Sequence, residues 1–277
     1  MRVTNKRREA SISQSRALTA TNAICDPRTF VQSLERGLSV LRVFGADAPA
    51  LTLADVARRA DLTRATARRI LHTLHALGYV ATDGKTFELT PKVLDLGYAY
   101  LSSMHLGDIA QPTMEALSEH VHESVSLAML EGDDIVYVAR VPTKRIMTIS
   151  LGLGSRLPAH CTSMGRVLLA DLAPAELDSY LLRAPLTART ERTVTDAGAL
   201  RAALADVRAK GWALLDQELE DGVRSVAAPV RDRSGRAVAA LNIGTQAARV
   251  TLQQLRADLV PALLDAAGTI SRQLAKR

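Results

Sequence analysis

The segment from Thr52 to Leu89 constrains the fold of this chain more than any other. Thr52 is a good cap for a short helix, Leu53–Ala60, whose Leu53, Val56 and Ala57 share one side. Asp61-Leu62-Thr63 then makes a tight joint into a second helix, Arg64–Leu77. At ~100° per residue, Ala67, Ile70, Leu71, Leu74 and Leu77 fall on one face of it, whereas Ala65, Arg68, Arg69 and His72 fall on the other, with Arg64 beside them. Gly78 stops the helix, and Tyr79-Val80-Ala81 and Phe87-Glu88-Leu89 flank Asp83-Gly84-Lys85, the composition of a tight hairpin. Ahead of all this, Leu34, Leu38, Leu41 and Val43-Phe44 recur at helical spacing from Ser33 until Gly45 and Pro49. Three helices followed by a hairpin predict a winged helix-turn-helix.

Charge supports that reading and points to a partner. Residues 1–92 carry 15 basic and 8 acidic side chains, a net of +7, whereas residues 93–277 carry 20 and 21, a net of −1. A basic front on a near-neutral body suits the phosphate backbone of double-stranded DNA. A merely solubilising tail would explain residues 1–28, a polar arm with Lys6-Arg7-Arg8, but not the patterned segment behind it. No apolar run approaches the ~20 residues of a membrane span, and the N-terminus lacks the apolar stretch of a secretory signal, so a cytoplasmic protein with no membrane partner is expected. Cys25 and Cys161 stand far apart and outside any metal or disulfide spacing, which makes free thiols the plain reading.

After the hairpin, Thr90-Pro91 opens a further helix carrying Val93, Leu94, Leu96 and Leu101, with Tyr98 and Tyr100 nearby. Its stripe suits either intrachain packing or a second copy of the chain. Beyond Asp108 the texture becomes α+β. Strands are expected at Ser124–Leu130, Ile135–Arg140, Arg145–Ser150, Trp212–Asp216, Ser225–Val230 and Ala237–Ile243. Helices are expected at Ser163–Ala170, Pro174–Leu182 and Asp196–Lys210, with a last one capped by Thr251 and Gln254. A mainly antiparallel sheet flanked by helices is the natural assembly. The expected division is an arm at 1–28, a DNA-binding domain at 29–91, a linker helix at 92–108 and an effector domain at 109–277.

Several separated segments resemble the IclR family of bacterial transcription regulators. They are Leu53-Ala54-Asp55-Val56-Ala57 leading to Ala65-Thr66-Ala67-Arg68-Arg69; Gly154-Ser155-Arg156-Leu157-Pro158 leading to Thr162-Ser163-Met164-Gly165-Arg166; and Glu218-Leu219-Glu220-Asp221-Gly222 leading to Ala228-Pro229-Val230. Within the family, His160-Cys161-Thr162-Ser163 and Ala239-Ala240-Leu241-Asn242-Ile243 are most similar to the branch controlling aromatic-acid catabolism through protocatechuate, 4-hydroxybenzoate and β-ketoadipate. The resemblance implies a GAF-like effector domain, a homodimer or homotetramer, and control at a pseudo-palindromic operator by a small organic acid, with no cofactor, metal or enzymatic step. The alternative effector is another small carboxylate or an efflux substrate.

On this reading Ala65 and Arg68 face base edges, Thr63, Arg64 and Arg69 face phosphates, His72 is peripheral, and Thr66 and the wing residue Lys85 complete the DNA interface. The N-terminus of the helix at Ser163 suits a carboxylate, through Thr162, Ser163 and free backbone N–H groups. His160, Cys161 and Gly165 flank it, and Ser225, Ala227 and Asn242 close the pocket from the strands. Thr162 and Ser163 serve equally well as plain helix caps. His160-Cys161 also admits a nucleophile–base pair or a metal site, although neighbours in an extended segment point apart and no third group orients them. An architectural DNA-binding protein without a ligand remains a further reading.

Overall fold

A computed structural model describes residues 29–45, 47–97, 106–143 and 151–276, and the chain divides into two compact units, residues 1–99 and 100–277. The expected arm, Tyr98, Tyr100 and Leu101 of the expected linker helix, and the expected strand Arg145–Ser150 lie outside the described residues.

The first unit holds helices α1 (Gln32–Arg42), α2 (Leu53–Arg59) and α3 (Arg64–Ala76), and strands β1 (Ala50–Thr52), β2 (Val80–Thr82) and β3 (Thr86–Leu89), in sheet order β1-β3-β2. Strand β1 was not expected; it pairs antiparallel with β3, Leu51 opposite Phe87, and ties α2 to the wing. Val40, Val56, Ala67, Leu71 and Val80 are buried together in the core. Leu77, expected on that face, is exposed because α3 ends at Ala76 and the chain turns away at Gly78. Pro91–Val93 form a 3-10 turn capped by Thr90, whose hydroxyl accepts from the Lys92 N–H at 3.3 Å, and residues 94–97 continue as helix.

The second unit is a six-stranded antiparallel sheet, order β6-β5-β4-β9-β8-β7, comprising β4 (Ser124–Glu131), β5 (Asp134–Val141), β6 (Arg156–Pro158), β7 (Ala213–Asp216), β8 (Val223–Arg231) and β9 (Ala237–Gln246). Helices α4 (Leu106–Val121) and α8 (Val260–Ala275) cover one face, and α5 (Ser163–Asp171) covers the other with α6 (Pro174–Arg183) and α7 (Ala197–Lys210) behind it. Helix α4 was not expected. The boundary placed after residue 108 falls within its first turn, where Leu106 and Ala110 are already buried in the second unit's core. Strand β6 was also missed, hidden by the glycines that precede it.

The strands alternate sharply. Val125, Leu127, Val226, Ala228, Leu241 and Ile243 pack against α4 and α8, while Ser124, Ser126, Ser225, Ala227, Asn242 and Gly244, the intervening residues, face α5. A bulge passes over Val138, so the register steps from Leu127 opposite Ala139 to Ala128 opposite Tyr137. It sends both Tyr137 and Arg140 to the α5 side.

Residues 163–170 of α5 are all buried, which requires unusually close neighbours. Gly165 meets the 3-10 turn Ala159–Cys161 so closely that a Cβ there would drive into the Ala159 carbonyl. An ordinary helical glycine gains about 1 kcal/mol on replacement by alanine. Gly165→Ala is instead expected to cost roughly 3 kcal/mol, lowering the thermal unfolding midpoint of the second unit by several degrees. An unchanged midpoint in a melting experiment would show that the 3-10 turn can retreat freely.

Candidate functional site

Two regions of the chain carry recognisable chemistry. In the first unit the joint between α2 and α3 is built by Asp61 in the left-handed region (φ 53°) and by the Leu62 N–H donating to the Ala57 carbonyl at 2.8 Å. The Thr63 hydroxyl accepts from the Thr66 N–H at 3.2 Å and lies 2.9 Å from the Thr66 hydroxyl, so both side chains are engaged in the cap. Arg64, Ala65, Arg68, Arg69 and His72 are exposed along the opposite face from the buried Ala67, Leu71 and Leu74. The wing tip is held by Asp83, whose Oδ1 accepts from the N–H groups of Thr86 and Lys85 at 2.7 and 2.8 Å; these bonds keep its carboxyl below the usual range. Gly84 takes the left-handed turn position (φ 88°), leaving Lys85 exposed. The nearby Lys92 is committed to the fold. Its Nζ donates to the Leu77 carbonyl at 2.8 Å and lies 5.2 Å from the centre of the Tyr79 ring.

In the second unit a cavity of about 300 Å³ lies between the sheet and the N-terminus of α5. Its floor follows the strand alternation. Ser124, Gly244, Ser225 and Leu215 form one cross-strand row, and all four line the cavity. The adjacent row runs Arg140, Ser126, Asn242, Ala227. Its first three members line the cavity, whereas Ala227 is packed under α5. Among the described residues, Arg140 is the one cationic side chain in the lining. Tyr137 stands in the wall, its phenol pushed up to about 12 by burial and therefore neutral.

The first turn of α5 supplies the roof. Thr162 is the cap, its hydroxyl accepting from the Gly165 N–H at 3.2 Å, while Ser163 and Met164 reach the cavity. Glu218 to Val223 form the rim. Glu218 is held there by Arg166, 3% exposed, whose Nη2 donates to its Oε2 at 2.7 Å while Nε donates to the His160 carbonyl. The Thr193 hydroxyl donates to the Glu218 carbonyl at 2.6 Å, and the Thr190 hydroxyl to the Gln217 carbonyl at 2.7 Å.

Of the residues expected to contact an effector, Cys161, Thr162, Ser163, Ser225 and Asn242 are brought together at the cavity, and His160, Gly165 and Ala227 are not. The His160 ring is turned away, with Nε2 3.1 Å from the Thr187 carbonyl, and burial lowers its pKa. Gly165 is spent on the contact with Ala159, and Ala227, at the end of the Arg140–Ser126–Asn242 row, is packed under α5. Ser124, Ser126, Tyr137 and Arg140 were missed. The first two share the parity of Ser225 and Asn242 on their strands, a signal present in the sequence; the parity of Arg140 is set by the bulge.

Cys161 is fully buried and its thiol is pushed up to about 11 by burial, so at neutral pH it is protonated and His160 does not approach it as a base. Among the described residues no three His, Cys, Asp or Glu side chains converge as a metal site would need. Iodoacetamide at pH 8 is expected to leave the peptide containing Cys161 unmodified in the folded protein and to alkylate it fully in guanidinium. Rapid modification of the native protein, read by peptide mass mapping, would reveal an activated thiolate.

The two units match two family models, an IclR helix-turn-helix domain over residues 33–84 and a bacterial transcriptional regulator IclR C-terminal domain over residues 98–272. The chain is 48% identical over 246 residues to the Pca regulon regulatory protein of Pseudomonas putida, spanning 88% of this chain and 84% of that one. Among solved structures, a transcriptional regulator from Rhodococcus sp. RHA1 aligns with a TM-score of 0.80 at 56% identity, over 89% of this chain and 99% of that one. An IclR homolog from Microbacterium hydrocarbonoxydans, solved in complex with 4-hydroxybenzoate, aligns with a TM-score of 0.77 at 28% identity, over 87% and 98% of the two chains.

Proposed function

The chain belongs to the IclR family of bacterial transcriptional regulators, and we propose that it controls genes for aromatic-acid catabolism by coupling occupation of the α5 cavity to operator binding by α3. The cavity carries this reading: one cation, Arg140, a helix N-terminus bearing Ser163, and a row of small polar residues enclose a volume suited to a single-ring acid. The similarity to a Pca regulon regulator, and to a homolog holding 4-hydroxybenzoate, supports an aromatic hydroxy acid as effector. Neither Cys161 nor His160 is set up for catalysis, which favours a sensor over an enzyme. A protein reading an operator works in the cytoplasm, beside the chromosome.

In the DNA complex α3 occupies the major groove, with Ala65 and Arg68 toward base edges and Arg64, Arg69 and the wing residue Lys85 toward phosphates. Thr63 and Thr66, each already bonded to the other, set the entry of the helix and contribute through backbone more than through hydroxyl. His72 lies at the edge. A second copy of the chain reads the other half-site of a pseudo-palindrome, and the exposed Val31, just before α1, with Leu34 and Leu38 on it, forms an apolar stripe that such a copy would cover.

A gel shift on the upstream intergenic DNA is expected to show a specific complex that protocatechuate, 4-hydroxybenzoate or β-ketoadipate alters. A specific complex indifferent to all three would remove the aromatic assignment and leave the DNA-binding one. Arg68→Ala should reduce discrimination between operator and random DNA by roughly 1–3 kcal/mol, while Arg64→Ala should weaken both alike. Equal losses for Arg68→Ala on the two DNAs would overturn the base-reading role.

A further inference from the structure

Asn242 lies in the middle of the cavity floor, 8% exposed, between Ser126 on β4 and Ala227 on β8. Its Oδ1 is enclosed and has no hydrogen-bond partner. The fold does not call for an amide here. The neighbours on the same face of β9, Ala240 and Gly244, are small, and the strand is anchored from its other face by Leu241 and Ile243. Burying an oxygen without a donor is unfavourable, so a polar group that the fold leaves unused, in the wall of a cavity, is one a ligand completes.

We propose that Asn242 reads a hydroxyl group on the effector and thereby selects hydroxylated acids over their unsubstituted parents. This rests on the aromatic-acid reading of the cavity. The chemistry of the carboxamide fixes the class of its partner. A carboxylate only accepts hydrogen bonds; against Asn242 it would satisfy the NH₂ and leave the carbonyl oxygen facing like charge. A hydroxyl donates to Oδ1 and accepts from Nδ2, and rotation about the terminal amide torsion lets the side chain meet it.

The register then separates the two ends of the ligand. Arg140 pairs with Ser126 and Ser126 pairs with Asn242, so Arg140 and Asn242 occupy the same cross-strand row two strands apart, roughly 10 Å between backbones. Side chains reaching inward from both positions leave the length of one benzene ring bearing a carboxylate at one end and a hydroxyl toward the other. Arg140, aided by Ser163 at the start of α5, takes the carboxylate; Asn242 takes the hydroxyl.

Calorimetric titration of the full-length protein with benzoate, 3-hydroxybenzoate, 4-hydroxybenzoate and 3,4-dihydroxybenzoate tests the assignment on the wild type, Asn242→Leu and Asn242→Ala. The best hydroxylated acid is expected to bind the wild type about tenfold tighter than benzoate or better. In Asn242→Leu that preference should fall to within about twofold, through weaker binding of the hydroxylated acid while benzoate is retained. Asn242→Ala adds no volume and should show the same collapse, so a folding failure of the leucine variant leaves the point decidable. A wild-type preference surviving in either variant overturns the role of Asn242. Equal binding of all four acids by the wild type also overturns it while sparing the acid-binding cavity; binding of none of the four removes both.

Discussion

Helix α5 is buried along residues 163–170, and the architecture of the second unit follows from the need to surround it. A helix so enclosed has no solvent face on which to place a charge, yet its fourth residue is Arg166. A guanidinium in that position is tolerable only if its donors are met. They are met by the His160 carbonyl and by Glu218, whose other contacts run to Val194 and Thr193. The buried cation therefore reaches across the unit and fixes the 218–223 segment where it rims the cavity. Stability is not the reason for such a pair, since well-packed apolar residues of similar volume are generally no worse in its place. What the pair supplies is a defined position for a loop with little core of its own.

The same enclosure explains why a cavity survives beside a well-filled core. On the α4 and α8 side the strands present branched aliphatics that fill the interlayer space. On the α5 side the central strands β4, β8 and β9 present serine, alanine, glycine and asparagine, which are too small to reach the helix everywhere. Gly165 lets one end of α5 settle onto the Ala159 turn, and near its N-terminus the small side chains leave a gap. The space is thus a product of residue size on one face of a period-2 pattern, and its polarity comes from the same residues.

Much of this was legible in the sequence where a single period governs a segment. Strands β4, β8 and β9 and helices α3 and α7 declare themselves through alternation, caps and glycine stops, and Thr52, Thr162 and Thr251 cap as their positions suggest. The failures have particular causes. Strand β1 is three residues long and exists through its pairing with β3. Helix α4 carries Pro112 within it and begins at Leu106, inside the stretch assigned to a linker. His160 looked like a site residue because it adjoins Thr162, but a 3-10 turn rotates it toward Thr187. Arg140 was invisible as a cavity residue because strict alternation from Tyr137 assigns it to the opposite face, and only the bulge at Val138 corrects the parity.

That bulge also decides which side chains of β5 line the cavity. Without it, the α5 side of β5 would offer Tyr137 and Ala139 and the cavity would lack its cation. With it, the cation stands at one end of a cross-strand row whose middle is Ser126 and Asn242 and whose far end is closed by Ala227 under the helix. The sheet fixes the spacing along the row, since strands cannot move apart without losing their ladder bonds. Arg140, Ser126 and Asn242 face the cavity and belong to neither hydrophobic core, so these side chains of the row can change at little cost to the fold. Positions along this row can therefore vary while the burial of α5 and the Arg166–Glu218 pair stay in place, and the selectivity proposed for Asn242 sits at a position the fold does not otherwise use.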